Sequence, residues 1–579
     1  MGAPMNRLRG RTFTTPAPWL VAAVLLAGCD PSPQSRAPAE TAAPSPSPGP
    51  QAPAWAEPLF TDVTQPAGIN FQHQLADGDL SNIMESDGAG GVVFDCDGDG
   101  LLDLYLVNSG PAPVLSDAPP ETVRRPNRLY RNHGDGSFED RTEIAGVAGH
   151  GFGTTAAAAD YDNDGDTDLL VVNFGGVILF QNNGDGTFKD VTAPAGLTHD
   201  RAGISATFLD ADRDGWLDLF VANYLVFDPA IKPAQGSKAP YPGPLAYDPE
   251  FNVLYRNRGD GTFEDVSETS GIRVPGHRAM SVTAFDYDLD GDADLYVSND
   301  GTANLLLQND GQGHFKDVAL ETGVGFNGFG KADGSMGACV GDVDGDTRPD
   351  LLVTRFGNAS LYLNSDLGFF EDRIESSGIL RVSSQFTGWG GSFLDYDNDG
   401  DLDVFIANGD PHFMLGMPPL LLQNTGQARF QNASDRAGEF FLRKTNARGS
   451  GVWDYDNDGR PDLVINSLGE PAVLLHNTAP GSNHFLTVRL EGTQGNRDGF
   501  GALVRVEAGG QVWQAEARCP TSYLFQSDPR LHFGLGNIAQ VDRIHIRWPS
   551  GKDQELTSLP ADQFLTIREP GPSRWEPAK

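Results

Sequence analysis

Cysteine is scarce in this chain, 4 in 579 residues, and no C-x-x-C pair occurs. A disulfide framework is therefore not indicated, and the paired-thiol motif of zinc and redox sites is missing. Positive charge is short as well. Lys and Arg total 41 against 79 Asp and Glu, a net charge of −38. A basic stripe for phosphates cannot be built from that balance, which argues against nucleic acid as a partner. Beyond the first 30 residues no run of about 20 apolar residues appears, the length a membrane-spanning helix needs. H-E-x-x-H, G-x-S-x-G and the phosphate loop are also missing, and the 11 histidines are scattered. The common hydrolytic and nucleotide-binding chemistries have no carrier here.

What the chain has in excess is aspartate, arranged in one pattern seven times. The loops are "DCDGDGLLD" (Asp95, Asp97, Asp99, Asp103), "DYDNDGDTD" (Asp160, Asp162, Asp164, Asp168) and "DADRDGWLD" (Asp210, Asp212, Asp214, Asp218). Then follow "DYDLDGDAD" (Asp286, Asp288, Asp290, Asp294), "DVDGDTRPD" (Asp342, Asp344, Asp346, Asp350), "DYDNDGDLD" (Asp395, Asp397, Asp399, Asp403) and "DYDNDGRPD" (Asp454, Asp456, Asp458, Asp462). Asp holds positions 1, 3, 5 and 9 throughout. Gly holds position 6 in all but the fifth loop, where Thr347 stands. Alternate side chains of a tight loop converge on one point, and position 7 can add a backbone carbonyl. A hard divalent cation wants six to eight such oxygens, and Gly permits the sharp turn. The set favours Ca²⁺ over Mg²⁺, which keeps its waters. The flanks are not those of an EF-hand: no helical period surrounds the loops and the Glu at position 12 is absent. About seven Ca²⁺ sites are expected. Seven divalent ions carry 14 charges and would take −38 to −24, so the acidity reads as a metal-site signature.

A second phrase follows each of the first six loops: "NRLYRNHGDGSFEDRTEIAGV" (127–147), "ILFQNNGDGTFKDVTAPAGL" (178–197), and four more variants. Each reads as strand, glycine turn, strand. With loop spacings of 50 to 76 residues, a unit of about four short strands reads as a propeller blade. The seventh repeat stops at "AVLLHN" (472–477), and its missing half stands ahead of the first loop as "LFTDVTQPAGINF" (59–71). The chain is thus expected to be permuted by half a repeat, with its first strand closing the ring and removing the open edges.

These loops and "GDGTF.DVT" phrases resemble FG-GAP/VCBS repeats, the calcium-loop blades of integrin alpha-chain propellers. Residues 481–569 resemble the ASPIC/UnbV domain, through "NRDGFGALVRVEAGGQVW" (496–513), "SYLFQSDPRLHFGLG" (522–536) and "VDRIHIRWPSGKDQE" (541–555). Together they resemble the cartilage acidic protein family and its bacterial members, over about residues 59–569. The resemblance implies an all-β fold: a seven-bladed β-propeller over 57–480 and a small C-terminal β domain over 481–569, with a tail at 570–579. It implies extracellular calcium binding and no assigned reaction.

The N-terminus carries an address. Arg7, Arg9 and Arg11 precede the short apolar run "WLVAAVLLA" (19–27), which ends in "LAGC" (26–29). This resembles a bacterial lipobox, so residues 1–29 are expected to be a lipoprotein signal and Cys29 the lipidated first mature residue. Residues 30–56 are rich in Pro, Ala and Ser and read as an extended spacer. Of the other cysteines, Cys96, Cys339 and Cys519, an odd number suggests at least one free or buried thiol. "RGD" at 258–260 falls inside the repeated glycine turn and is an accident of the repeat. His73, His150 and His277 lie near blade junctions, where a structural role is favoured. A Pro-rich insert (227–250) on a rigid ring is a candidate binding loop. The expected function is an exported, lipid-anchored, calcium-binding surface protein, an adhesion or ligand-binding scaffold for a protein or glycan partner, with no nucleic acid and no membrane contact beyond the anchor. The alternative is a propeller enzyme, which a ring-centre cluster of His, Arg and carboxylate would favour.

Overall fold

The computed structural model describes residues 57–75, 78–112, 114–115 and 125–575. Cys29 and the spacer lie outside them. The described residues all belong to one compact unit, Trp55–Lys579.

Seven four-stranded antiparallel units are built from the repeats, one of them extended by a fifth strand. Each acidic loop joins a blade's innermost strand to its second strand, as in Gly153–Ala159 and Asp168–Asn173. The second strands are apolar runs such as "DLLVVN", buried along their whole length. Both faces of such a strand are covered by neighbouring blades, so hydrophobic residues need not alternate. The innermost strands are built from small residues, "GTTAAAA" in blade two and "GWGGSFL" in blade six, because the ring narrows at its centre. Consecutive innermost strands touch in cyclic order, and Ala447–Trp453 of the last blade meets Gly91–Phe94 of the first. The architecture is a closed β-propeller.

Closure is made as the permuted repeat requires. Phe60–Asp62 pairs antiparallel with Val473–Asn477, so the N-terminal strand completes the last blade. A second device runs around the ring. The Asn that ends each third strand donates from Nδ2 to a carbonyl at position 2 of the preceding blade's acidic loop. Asn182 reaches Cys96 O at 2.9 Å, Asn257 reaches Tyr161 O at 2.8 Å and Asn309 reaches Ala211 O at 2.8 Å. Asn364, Asn424 and Asn477 repeat the contact. Asn132 closes the cycle on Tyr455 O at 2.7 Å. These amides are buried, so each bond satisfies a carbonyl that water cannot reach.

The C-terminal region forms two sheets, one ordered Leu531–Gly536, His484–Glu491, Gln563–Arg568, the other Gln511–Glu516, Leu503–Ala508, Gln540–Arg547, Asp553–Pro560. They enclose their own apolar core, including Val504, Val506, Ile544, Ile546 and Trp548. Its placement was not foreseen from sequence. The segment 517–528 leaves this domain and threads the centre of the ring. Phe525–Gln526 adds a parallel strand to Gly91–Phe94. Arg518 donates to Val340 O (2.8 Å), Thr521 to Val282 O (2.8 Å) and Ser522 to Gly391 O (2.6 Å). Gln526 donates to Ala158 O at 3.0 Å, Asp528 N donates to Val452 O at 2.9 Å, and Cys519 packs with Phe208. All seven innermost strands are thereby engaged. Glycine is what lets the plug in: a Cβ on Gly451 would stand 2.4 Å from the Phe525 ring.

Candidate metal centres on one face of the ring

Each acidic loop is folded by its own carboxylates. The position 1 carboxylate accepts the N–H of position 6, as Asp160 does from Gly165 at 2.8 Å and Asp342 from Thr347 at 2.8 Å. Position 5 accepts the N–H of position 7, as Asp164 does from Asp166 at 2.9 Å. Position 9 is buried and clamped on both oxygens. Asp294 accepts from Tyr287 N at 3.2 Å and from Asn309 N at 2.7 Å, and the other six repeat that pair of bonds. The sequence pattern proposed position 9 as a ligand; the structure gives it a framework role as well, tying the loop to the third strand.

Position 3 is different. One oxygen is held by the residue before the staple Asn: Gln181 on Asp162 (2.6 Å), Arg256 on Asp212 (2.8 Å), Gln308 on Asp288 (2.9 Å), Gln423 on Asp397 (3.1 Å), and Arg131 on Asp97. The other oxygen is buried without a hydrogen-bond partner in Asp97, Asp212, Asp344, Asp397 and Asp456. A buried carboxylate oxygen left bare costs free energy unless something not yet named pays for it. The loops also gather ligand atoms closely: Asp95, Asp97 and Asp99; Asp160, Asp162 and Asp168; Asp210, Asp212 and Asp214; and Asp286, Asp288 and Asp290 each place oxygens within 4.8 Å of one another.

Without a cation these carboxyls are pushed toward their neutral form. Burial is the main cause and the neighbouring carboxylates add to it. Asp103 and Asp210 rise to about 7, Asp286, Asp350 and Asp454 to about 8, and Asp403 to about 10. Positive charge in the loop would reverse that. The orphaned oxygens and the all-oxygen donor set fit a hard divalent ion, with positions 1, 3, 5 and 9 as the side chains that would hold it. Bound there, it would neutralise the loop and fix the innermost strand to the second.

Loop five departs from the others. Thr347 takes the position 6 turn at φ +72°, a conformation unfavourable for a β-branched residue. Its third strand offers Leu363 where the others offer Gln, Arg or, in blade seven, His, so no side chain of that residue orients Asp344. Position 4 also turns left-handed, and Arg213 and Leu289 accept φ of 59° and 61° there, a demand the sequence pattern did not reveal.

The C-terminal domain lies against this same face and touches all seven loops. Arg489 stands 3.5 Å from Asp95, Asp498 accepts from Asp160 N at 2.8 Å, and Arg574 donates to Asp214 O at 2.9 Å. Glu516 accepts from Asp286 N at 2.9 Å, and Gln514 donates to Thr347 O at 2.7 Å. Trp513 donates to Gly400 O at 3.0 Å and Arg530 to Asp454 O at 3.1 Å.

A second polar group sits where the plug ends. Arg448 is fully buried, stacked 3.9 Å above the Trp389 ring, and donates to Ser86 O at 2.6 Å and Asp410 O at 3.1 Å. Asp87 beside it is buried with one bare oxygen, and burial raises its carboxyl well above the usual range. Tyr523 of the plug donates to Asp87 O at 3.0 Å, and Tyr224 to Asp300 at 2.6 Å. His73, bonded to Ser109 at 3.1 Å, is driven down to about 3 by burial, with Arg448 adding to it. His277 is bonded to Ala303 O. Cys96, Cys339 and Cys519 are all free and buried.

Comparison with known proteins adds the following. The FG-GAP-like repeat model matches residues 95–171, 160–221, 245–297, 286–353, 342–406 and 395–465, and the ASPIC and UnbV model matches 492–574. The chain is 25% identical to Homo sapiens cartilage acidic protein 1 over 334 residues, 53% of this chain and 46% of that protein. It is 25% identical to the Mus musculus protein over 353 residues, 56% and 50% of the two chains. It thus spans about half the length of the curated relatives it matches. Among solved structures, an Agrocybe aegerita lectin specific for non-reducing terminal N-acetylglucosamine aligns with a TM-score of 0.38 at 18% identity, over 60% of this chain and 79% of that one.

Proposed function

Given that the chain belongs to the FG-GAP-like repeat proteins and carries an ASPIC and UnbV domain, we propose that it is a calcium-loaded binding scaffold. It is exported, held to the bacterial envelope through lipid on Cys29, and presents the ring face away from its metal loops to a protein or glycan partner. The observation that carries the calcium reading is the bare, buried position 3 oxygen that recurs in five loops. The choice of face follows from occupancy, since the acidic face and the ring centre are filled by the chain's own C-terminal domain. The insert at 227–250 joins a second to a third strand and so lies on the opposite face.

Calcium modules outside cells often have Kd of about 10⁻⁴–10⁻³ M. At ten times Kd each site contributes about 1.4 kcal/mol, and seven sites about 10 kcal/mol, comparable with a domain's whole stability. Millimolar Ca²⁺ should therefore raise the melting temperature strongly and Mg²⁺ less, with about seven ions bound. A melting temperature indifferent to chelator defeats the calcium reading. Cys29→Ser should move the protein to the soluble export fraction; unchanged membrane association removes the anchor.

The enzyme reading has one observation in its favour, the ring-centre group of Arg448, Asp87, Asp300 and His73. Arg448, Asp87 and His73 are all buried, and Tyr523 of the plug hydrogen-bonds into the group, so it serves better as a polar core that fixes the plug than as a place where substrate meets solvent.

A further inference from the structure

Loop seven differs from its six relatives in one donor. The residue before the staple Asn is Arg, Gln or Leu in blades one to six and His476 in blade seven. Asp456, Asp458 and His476 place ligand atoms within 4.8 Å of one another. His476 Nδ1 stands 3.7 Å from Asp456 and 3.3 Å from Asp462. Nδ1 has Asp462 as its nearest partner, while Asp456 Oδ1 is buried with no hydrogen-bond partner. A ring nitrogen and carboxylate oxygens of the loop therefore border the same small space. In blades two, four and six the equivalent Gln donates its amide to the position 3 carboxylate, which an oxygen-only site needs. A histidine in that place is held against the adjacent Tyr455, ring centroids 5.7 Å apart, and offers a lone pair to the site.

Resting on the reading of the loops as cation sites, we propose that site seven is a mixed nitrogen–oxygen centre, selective for a borderline first-row divalent ion such as Zn²⁺ over Ca²⁺. Calcium prefers all-oxygen shells, whereas zinc binds imidazole and carboxylate together at about 2.0–2.2 Å. Asp456, Asp458 and His476 supply three such donors. The ring would then carry six hard sites and one borderline site, at the blade where the chain closes on itself.

The test uses the full chain saturated with millimolar Ca²⁺ and titrated with Zn²⁺, bound metal being counted after dialysis. The wild type should retain one zinc and exchange one calcium for it. His476→Gln, which installs the residue blades two, four and six already use, should weaken zinc binding by about a hundredfold, at least what loss of an outer-sphere partner costs elsewhere, while holding its full calcium complement. Equal zinc binding by the two proteins overturns the proposal and leaves the calcium reading intact. Failure of both to bind calcium sinks the calcium reading instead. X-ray absorption on the zinc-loaded wild type decides the matter without any variant: an imidazole nitrogen in the shell is expected, and an all-oxygen shell overturns the assignment.

Discussion

The two faces of the ring come from the same repeat and end up unlike each other. One carries the seven acidic loops, nearly identical in length and turn, and the C-terminal domain covers it. On the other, the connections from second to third strands vary from a single glycine turn in blade two to the Pro-rich insert of blade three. That face exposes Leu245, Phe356, Phe413 and Leu415, and Phe356 lies beside His412 at a ring separation of 6.4 Å. Repetition marks the side where geometry is fixed by the loops' own carboxylates and by intramolecular docking. Variation marks the side free to meet something else, in keeping with loops as the usual carriers of recognition on a rigid frame.

Substitutions on the first face should therefore register as stability, and those on the second should not. The largest effect is expected from deleting 57–71. That removes the closing strand and the apolar residues Phe60, Ile69 and Phe71 from the interfaces of blade seven with its neighbours, so the whole ring should lose its cooperative melt; an unchanged melting temperature would refute closure by this segment. Next comes the plug. Phe525→Ala empties a fully buried aromatic site bounded by Gly91 and Gly451 and should cost about 3–5 kcal/mol, with proteolysis newly admitted near residue 480. Melting like wild type would show that the plug does not hold the two domains together.

One staple is worth less. Asn257→Ala leaves the buried carbonyls of Tyr161 and Leu217 without their donor and should cost about 1–3 kcal/mol, read by denaturant titration. Smaller again is Thr347→Gly, which relieves the φ of +72°. It should gain about 1 kcal/mol with calcium bound, less the entropy that glycine returns to the unfolded chain; a loss would mean the threonine is favoured there for another reason. On the open face, Phe413→Ala should shift stability by less than about 0.5 kcal/mol while reducing recovery of whatever copurifies from intact cells under calcium. A variant that keeps its partners removes this face from consideration.

Much of this was legible in the sequence. The aspartates at alternate positions, the glycine turns and the half-repeat displaced to the front specify loops, blades and the manner of closure, because each depends on residues close together along the chain or on the count of repeats. The staple Asn was present in every quoted "RN", "QN" or "HN" pair, yet its role could not be read there. Its partner sits in the preceding blade, and only the angle between neighbouring sheets brings amide and carbonyl within 3 Å.

The same holds for the larger surprises. "SYLFQSD" reads as one more strand of a C-terminal sheet, and nothing local distinguishes it from its neighbours. It becomes a plug because glycines of several innermost strands, such as Gly91, Gly337 and Gly451, leave room for its side chains, and because the domain that carries it is anchored on the acidic loops. By itself the sequence determined the number and chemistry of the acidic loops, whose carboxylates lie within nine residues of one another. Which face is covered, what fills the ring, and that His476 rather than a glutamine looks into the last loop were decided by tertiary structure, since those contacts join residues from about 15 to several hundred positions apart.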